Sequence, residues 1–169
     1  DVYKRQDDFL FGDETLWWVF NDVGNIHTET GSQAHIGLEV QAQAFAFNTS
    51  DEINNMTFYK YKIVNRSTNT LNDTYFGQWV DADLGFFKDD YVGCDVERGL
   101  GYCYNGDNVD EGPTGYGTEL PIIGMDFFEG PFADPDGLDN PRSPNNSASA
   151  SGTGYGDGVP DNERMGMAK

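Results

Sequence analysis

The chain has 169 residues, with ten Lys and Arg against 29 Asp and Glu, a formal charge of -19 and a pI near 4.1. So acidic a composition lacks the clustered cations that phosphate contacts need; it excludes nucleic-acid binding and disfavours docking on anionic lipid. Aromatics at 14% are too abundant for a disordered acidic tail, and no run approaches the roughly 18 apolar residues of a membrane helix, so membrane insertion is not expected.

Residues 1–6 (DVYKRQ) bear no relation to the pattern that follows and look like a translated adapter remnant, so they are set aside as a non-native leader. The chain stops just after an expected helix start near Asp161, which makes it an expected fragment of a longer protein, with that protein's other domains as its first partners.

From there the recurring signal is period-two alternation between clusters of Gly, Asn and Asp, the mark of short antiparallel strands. Residues 16–21 (LWWVFN) read as an aromatic, β-branched strand. Residues 36–47 (IGLEVQAQAFAF) put Ile36, Leu38, Val40, Ala42 and Ala44 on one face and Glu39, Gln41 and Gln43 on the other. Phe45 and Phe47 then fall on the polar side, which predicts a bulge or a strand end covered on both faces. Residues 56–65 (MTFYKYKIVN) alternate most strongly, with Lys60 and Lys62 keeping one face wet. Residues 71–80 (LNDTYFGQWV) are expected to pair with them as a hairpin or Greek-key corner. Shorter strands are expected at 91–92 and 101–104, and a further apolar run lies at 120–128. Together these predict an all-β fold, an antiparallel β-sandwich of jelly-roll or immunoglobulin-like kind with few or no helices, over residues 7–132. Residues 133–169 read as a Gly-, Ser- and Asp-rich loop or linker carrying a truncated acidic motif.

The carboxylates are unevenly spread. Asp81, Asp83, Asp89, Asp90, Asp95, Glu97, Asp107, Asp110 and Glu111 crowd one stretch against only Lys88 and Arg98. Such crowding costs Coulomb energy unless a cation or water screens it. Asp81-x-Asp83-x-Gly85 can turn two carboxylates together, and Asp89, Asp90 and Asp95 can add oxygens. That all-oxygen set suits calcium, which takes six to eight such ligands, and not a transition metal. A solvated acidic loop without an ion is the plain alternative. Two weaker acidic groups follow, Asp134, Asp136 and Asp139, and then Asp157, Asp161 and Glu163. The latter is similar to the tail of a thrombospondin type 3 or dockerin-like calcium loop, although Thr153 and Tyr155 stand where further ligands belong. Its alternative is Asp161 capping a helix that starts at Asn162.

Cys94 and Cys103 fit no common zinc spacing, and in an oxidising compartment a disulfide between them would close a loop worth about 2.5–3 kcal/mol. His27 and His35 lack the spacing of a zinc hydrolase, and no nucleophile elbow or phosphate-binding loop is present. Cys94 among carboxylates is a poor nucleophile, since they raise a thiol's pKa. Aromatics offer more. Trp79, Tyr102 and Tyr104 lie beside the acidic stretch, where exposed rings can grip sugars; a core role is the alternative, and the favoured one for Trp17, Trp18 and Trp79.

Residues 57–107, with the run Trp79, Asp81, Asp83, Gly85, Asp89, Asp90, Gly93, Cys94, Asp95, Tyr102, Tyr104, Asn105 and Asp107, resemble large secreted proteins of Bacteroidota that end in a type IX secretion sorting domain. The resemblance runs from about Leu16 to Phe132 and implies an extracellular or cell-surface location, without an activity. The expected function is a non-catalytic, calcium-stabilised module of such a protein. A carbohydrate-binding or adhesive module and an accessory fragment of an extracellular hydrolase are the alternatives.

Overall fold

A computed structural model describes residues 10–24, 28, 31, 34–144 and 147–167; residues 1–6, expected to be a leader, and His27 lie outside the described residues. Among the described residues the chain is all-β and antiparallel, built from two three-stranded sheets. The strands are β1 (Glu14–Asn21), β2 (Leu38–Ala46), β3 (Thr57–Asn65), β4 (Asp90–Asp95), β5 (Leu100–Asn105) and β6 (Ile122–Asp126). Helical structure among the described residues is limited to a 3-10 turn at Glu52–Asn55 and the four-residue α1 (Ser147–Ala150). The chain divides into two compact units, Asp1–Phe76 and Gly77–Lys169, with one sheet each.

In the first unit β2 is central, and its small residues meet large ones on both flanks. Trp18, Ala42 and Tyr61 are in register, as are Leu16, Ala44 and Tyr59, and Phe20, Val40 and Ile63. Ala42 is fully buried between its neighbours, a large–small–large fit that larger side chains on β2 would disrupt. Pairing runs unbroken from Leu38 to Ala46, so the expected bulge is absent. Phe45 on the other face is instead taken into a ring cluster, stacked on Phe58 at 5.3 Å and tilted against Phe11 at 5.2 Å, with Phe47 edge-on to both Phe45 and Phe58. Lys60 lies over the Phe11 ring at 5.1 Å.

The expected strand at 71–80 is not formed, and β3 pairs with β2. Asp73 takes a left-handed φ of 49°, which breaks the extended run whatever its alternation.

The turn into β2 is held by Asp22. Its carboxylate accepts from the N–H groups of Ile36, Gly37 (3.0 Å) and Leu38 (2.9 Å). Desolvation pushes the Asp22 pKa up, but these donors outweigh it and hold the pKa below the ordinary Asp value. The stabilisation is therefore complete above that ordinary value and is lost as pH falls through the lower, folded-state pKa. In a melting series taken from neutral pH down to about pH 2, Asp22→Asn is expected to flatten the acid limb relative to the parent chain. Superimposable acid limbs would refute this role.

In the second unit β5 is central. The β4–β5 turn is closed by Gly99 N–H to the Val96 carbonyl (3.2 Å) and by Arg98, which pairs with Asp95. One face carries Tyr91, Tyr102 and Tyr104. Tyr102 lies across Gly93, where a Cβ would come within 2.4 Å of its ring.

Residues 163–165 are stitched to the segment at 130–133. Phe132 and Thr153 both bridge Arg164, Ala133 N–H donates to the Glu163 carbonyl (2.9 Å), and Met165 N–H donates to that of Pro131 (2.9 Å). Arg164 fixes this ply through Glu129 (2.8 Å), the Gly130 carbonyl (3.1 Å) and the Phe132 ring (4.0 Å). The helix expected from Asn162 is not formed. Asp161 has a left-handed φ of 56°, and the backbone around Arg164 is committed to these bridges.

Candidate metal centre

Hairpin pairing decides which carboxylates meet. Asp90 opens β4 opposite Asn105, the last residue of β5. One step further out, Gly106 N–H donates to the Asp89 carbonyl at 2.7 Å, so Asp89 faces the start of the loop after β5. Asp107 and Glu111 lie in that loop. Asp89, Asp107 and Glu111 each bring a carboxylate oxygen within 4.8 Å of the others, and among the described residues this is the group so focused.

Local bonds shape each member. Asn105 Nδ2 donates to Asp89 Oδ2 (2.9 Å), while Asp89 Oδ1 is shielded from solvent without a hydrogen-bond partner. Asp107 Oδ1 accepts from Val109 N–H at 2.9 Å. A hydrogen bond to the Asp89 carboxyl, then desolvation, then the Asp107 charge raise the Glu111 pKa above the ordinary Glu value. Carboxylates this close repel one another, and a cation among them would relieve the repulsion that water otherwise screens. Their hard oxygens match calcium or magnesium and offer nothing to a thiophilic metal.

Of the residues expected to hold the ion, Asp89 alone belongs to this focus. Asp81, Asp83 and Asp90 line a separate groove of about 250 Å³ with Val92 and Cys103. There Asp90 Oδ2 accepts from Leu84 N–H (3.2 Å), and its Oδ1 has no partner. Asp95 cannot join Asp90, because they stand at opposite ends of β4, five residue steps or about 16 Å apart. The Arg98 guanidinium, by hydrogen bond and charge, lowers the Asp95 pKa. The chain does bend at Gly85, as expected, and the glycine has a second purpose there. With φ at +78° it passes so close to Asp110 that a Cβ would lie 1.8 Å from Oδ2.

The weaker acidic groups separate as well. Asp139 accepts from Gly156 N–H (2.8 Å) and Gly158 N–H (2.6 Å), and Asp157 from Val159 N–H (2.9 Å) and Asn162 Nδ2 (2.9 Å). Both are loop fasteners. Asp134, Asp136, Asp161 and Glu163 instead act on one another: desolvation first, then the charges of Asp136, Glu163 and Asp161, raise the Asp134 pKa.

The Cys94–Cys103 bond is not formed, and both are free thiols. Cys103 faces Val92 and Cys94 faces Gly101, so the pair is diagonal across the ladder. That relation separates Cα atoms by about 7–8 Å, beyond the usual span of a disulfide. Burial, then the Asp90 charge, pushes the Cys103 thiol up, away from nucleophilic use.

The tryptophans expected in a core are not buried; Trp17 is 64% and Trp79 84% exposed. Tyr102 and Tyr104 do share a surface, with ring centroids 5.9 Å apart, and Tyr91 lies 6.1 Å from Tyr104. Comparison with protein-family models, curated proteins and solved structures returned no match for this chain.

Proposed function

We propose that the chain is a non-catalytic module of an exported, cell-surface bacterial protein, and that a calcium ion held by Asp89, Asp107 and Glu111 ties the root of the β4–β5 hairpin to the loop after it. The convergence of those three carboxylates carries the reading. Export and a Bacteroidota source rest on the resemblance of residues 57–107. Binding to the folded state alone would add about 2.7 kcal/mol at a calcium concentration 100 times Kd. Calcium is therefore expected to raise the melting temperature of chelator-stripped protein by several degrees, and Glu111→Gln to remove the part of that rise due to this site. A calcium response identical in Glu111→Gln and the parent chain would sink the assignment.

A second reading is a glycan-binding surface, favoured by the tilted rings of Tyr91, Tyr102 and Tyr104 on one sheet face. Aromatic platforms bind sugar faces through apolar contact. It expects glycan-array signals that Tyr104→Ala removes; an array at background would discard it.

A further inference from the structure

We propose that β1 is a docking edge for a second copy of this chain: two β1 strands pair antiparallel about a two-fold axis and join their sheets into one of six strands. The pairing needs no metal, so it stands whether or not the calcium reading does.

The residues decide which edge is open. Two three-stranded sheets leave β1, β3, β4 and β6 at their edges. An exposed edge invites another chain, and proteins blunt it with charge or brevity. β3 carries Lys60 and Lys62, and β4 has Asp90 and Asp95 at its two ends. β6 is five residues long, with Gly124 in its middle and Asp126 at its end. β1 has none of these devices. It is eight residues long, and Leu16-Trp-Trp-Val-Phe20 holds no charge, Pro or Gly in a chain of net charge -19.

The backbone of that edge is unclaimed. β1 pairs with β2 from Glu14 opposite Ala46 to Asn21 opposite Glu39, and Asp22 N–H continues the ladder to the Leu38 carbonyl (3.4 Å). Alternate residues of an antiparallel strand turn their N–H and C=O to the same neighbour. Leu16, Trp18 and Phe20 therefore bond with β2, as Asp22 does, and Thr15, Trp17, Val19 and Asn21 turn their backbone groups outward. Among the described residues, none donates to or accepts from those outward groups. The side chains are open too: Leu16, Trp17, Val19 and Phe20 are exposed, and Trp18 is 38% exposed.

The strand that suits such an edge is extended, uncharged, aromatic and β-branched, which describes β1 itself. A two-fold axis normal to the sheet keeps each face on its own side and makes a closed contact. With the axis at Trp17, that residue meets its twin, Thr15 meets Val19 and Leu16 meets Trp18, so the outward groups of Thr15, Trp17 and Val19 are all paired. Glu14 then lies opposite Phe20. An axis at Trp18 would instead set Glu14 against Asp22, a like-charge pair that disfavours that register. Side chains of about 150–250 Å² each, roughly half exposed, let a pair bury at most about 1,000 Å², the lower limit of a specific interface. The dimer is therefore concentration-dependent. Each copy also brings its -19 charge, so salt should strengthen the dimer by screening that repulsion.

The test is sedimentation velocity of the full chain, in chelator, from about 1 to about 300 µM. A monomer–dimer equilibrium is expected, with a dissociation constant that falls several-fold as NaCl rises from about 50 to about 500 mM. Val19→Pro removes one outward donor and leaves the β2 ladder intact, and Val19→Lys installs the guard that β3 carries. Both are expected to weaken the dimer at least ~10-fold, a loss of about 1.4 kcal/mol. Should Val19→Pro fail to fold, Val19→Lys decides. A dimer undiminished in Val19→Lys, or assembly beyond two copies, overturns the inference. So does a parent chain that stays monomeric at every concentration and salt; if that monomer takes up an unrelated extended apolar peptide, the edge belongs to a foreign strand.

Discussion

Replacing Asp110 by Ala is expected to destabilise the second unit by about 2–4 kcal/mol, among the largest effects of any single polar change in the chain. Asp110 is 3% exposed, and its side chain performs two backbone tasks at once. Oδ1 accepts from Phe86 N–H (2.9 Å) and Oδ2 from Tyr116 N–H (2.8 Å), while its own N–H and carbonyl pair with Gly117. Alanine would leave both donors unmet in a half-buried site, and the full desolvation cost of each would appear. Gly85→Ala attacks the same carboxylate from outside, since its Cβ would overlap Oδ2 and its φ is left-handed. The two changes should be markedly non-additive in a double-mutant cycle. Denaturant titration of the three variants checks both claims, and an Asp110→Ala midpoint shift worth less than about 0.5 kcal/mol would refute them.

Gly130→Ala is expected to unseat the C-terminal ply. A Cβ at residue 130 would lie 1.9 Å from the Met165 carbonyl oxygen, a backbone atom that cannot move aside without breaking the Met165–Pro131 hydrogen bond. Overpacking of this kind costs about 1–3 kcal/mol. Limited proteolysis offers the simplest check: cleavage between residues 150 and 167 should accelerate in Gly130→Ala, and an unchanged digest would contradict the packing described.

The strands were legible wherever alternation was backed by a neighbouring segment of matching length. β2, β3 and β6 fall within expected runs, and β1, β4 and β5 contain the shorter runs expected at 16–21, 91–92 and 101–104 and extend past them, because β-branched and aromatic residues at period two report half-buried surface directly. Residues 71–80 carried the same signal and failed, since alternation says nothing about whether a partner edge is available or whether Asp73 will take a left-handed turn. The candidate site was partly legible for a similar reason. Counting acids located the crowded stretch, but proximity in sequence is not convergence in space: Asp90 and Asp95 are neighbours in number and a strand length apart. What would have selected Asp107 and Glu111 over Asp81 and Asp83 is the hairpin register, which opposes Asp90 to Asn105 and so turns Asp89 toward the loop that follows. Glu163 was named among the weaker acidic groups, but its burial was not legible, because its isolation from water depends on the bridges around Arg164.

Both sheets are meanders whose strands pair in the order in which they are made, β1-β2-β3 and β4-β5-β6. Each ladder therefore closes over a short stretch of chain, so loop-closure entropy is small and zippering is expected to be quick. The exception is the ply at Phe132, Thr153 and Arg164, which must wait for residue 165 before it can lock. As the chain emerges from N-terminus to C-terminus, that fastening is expected to be made last, and the burial of Glu163 waits on it.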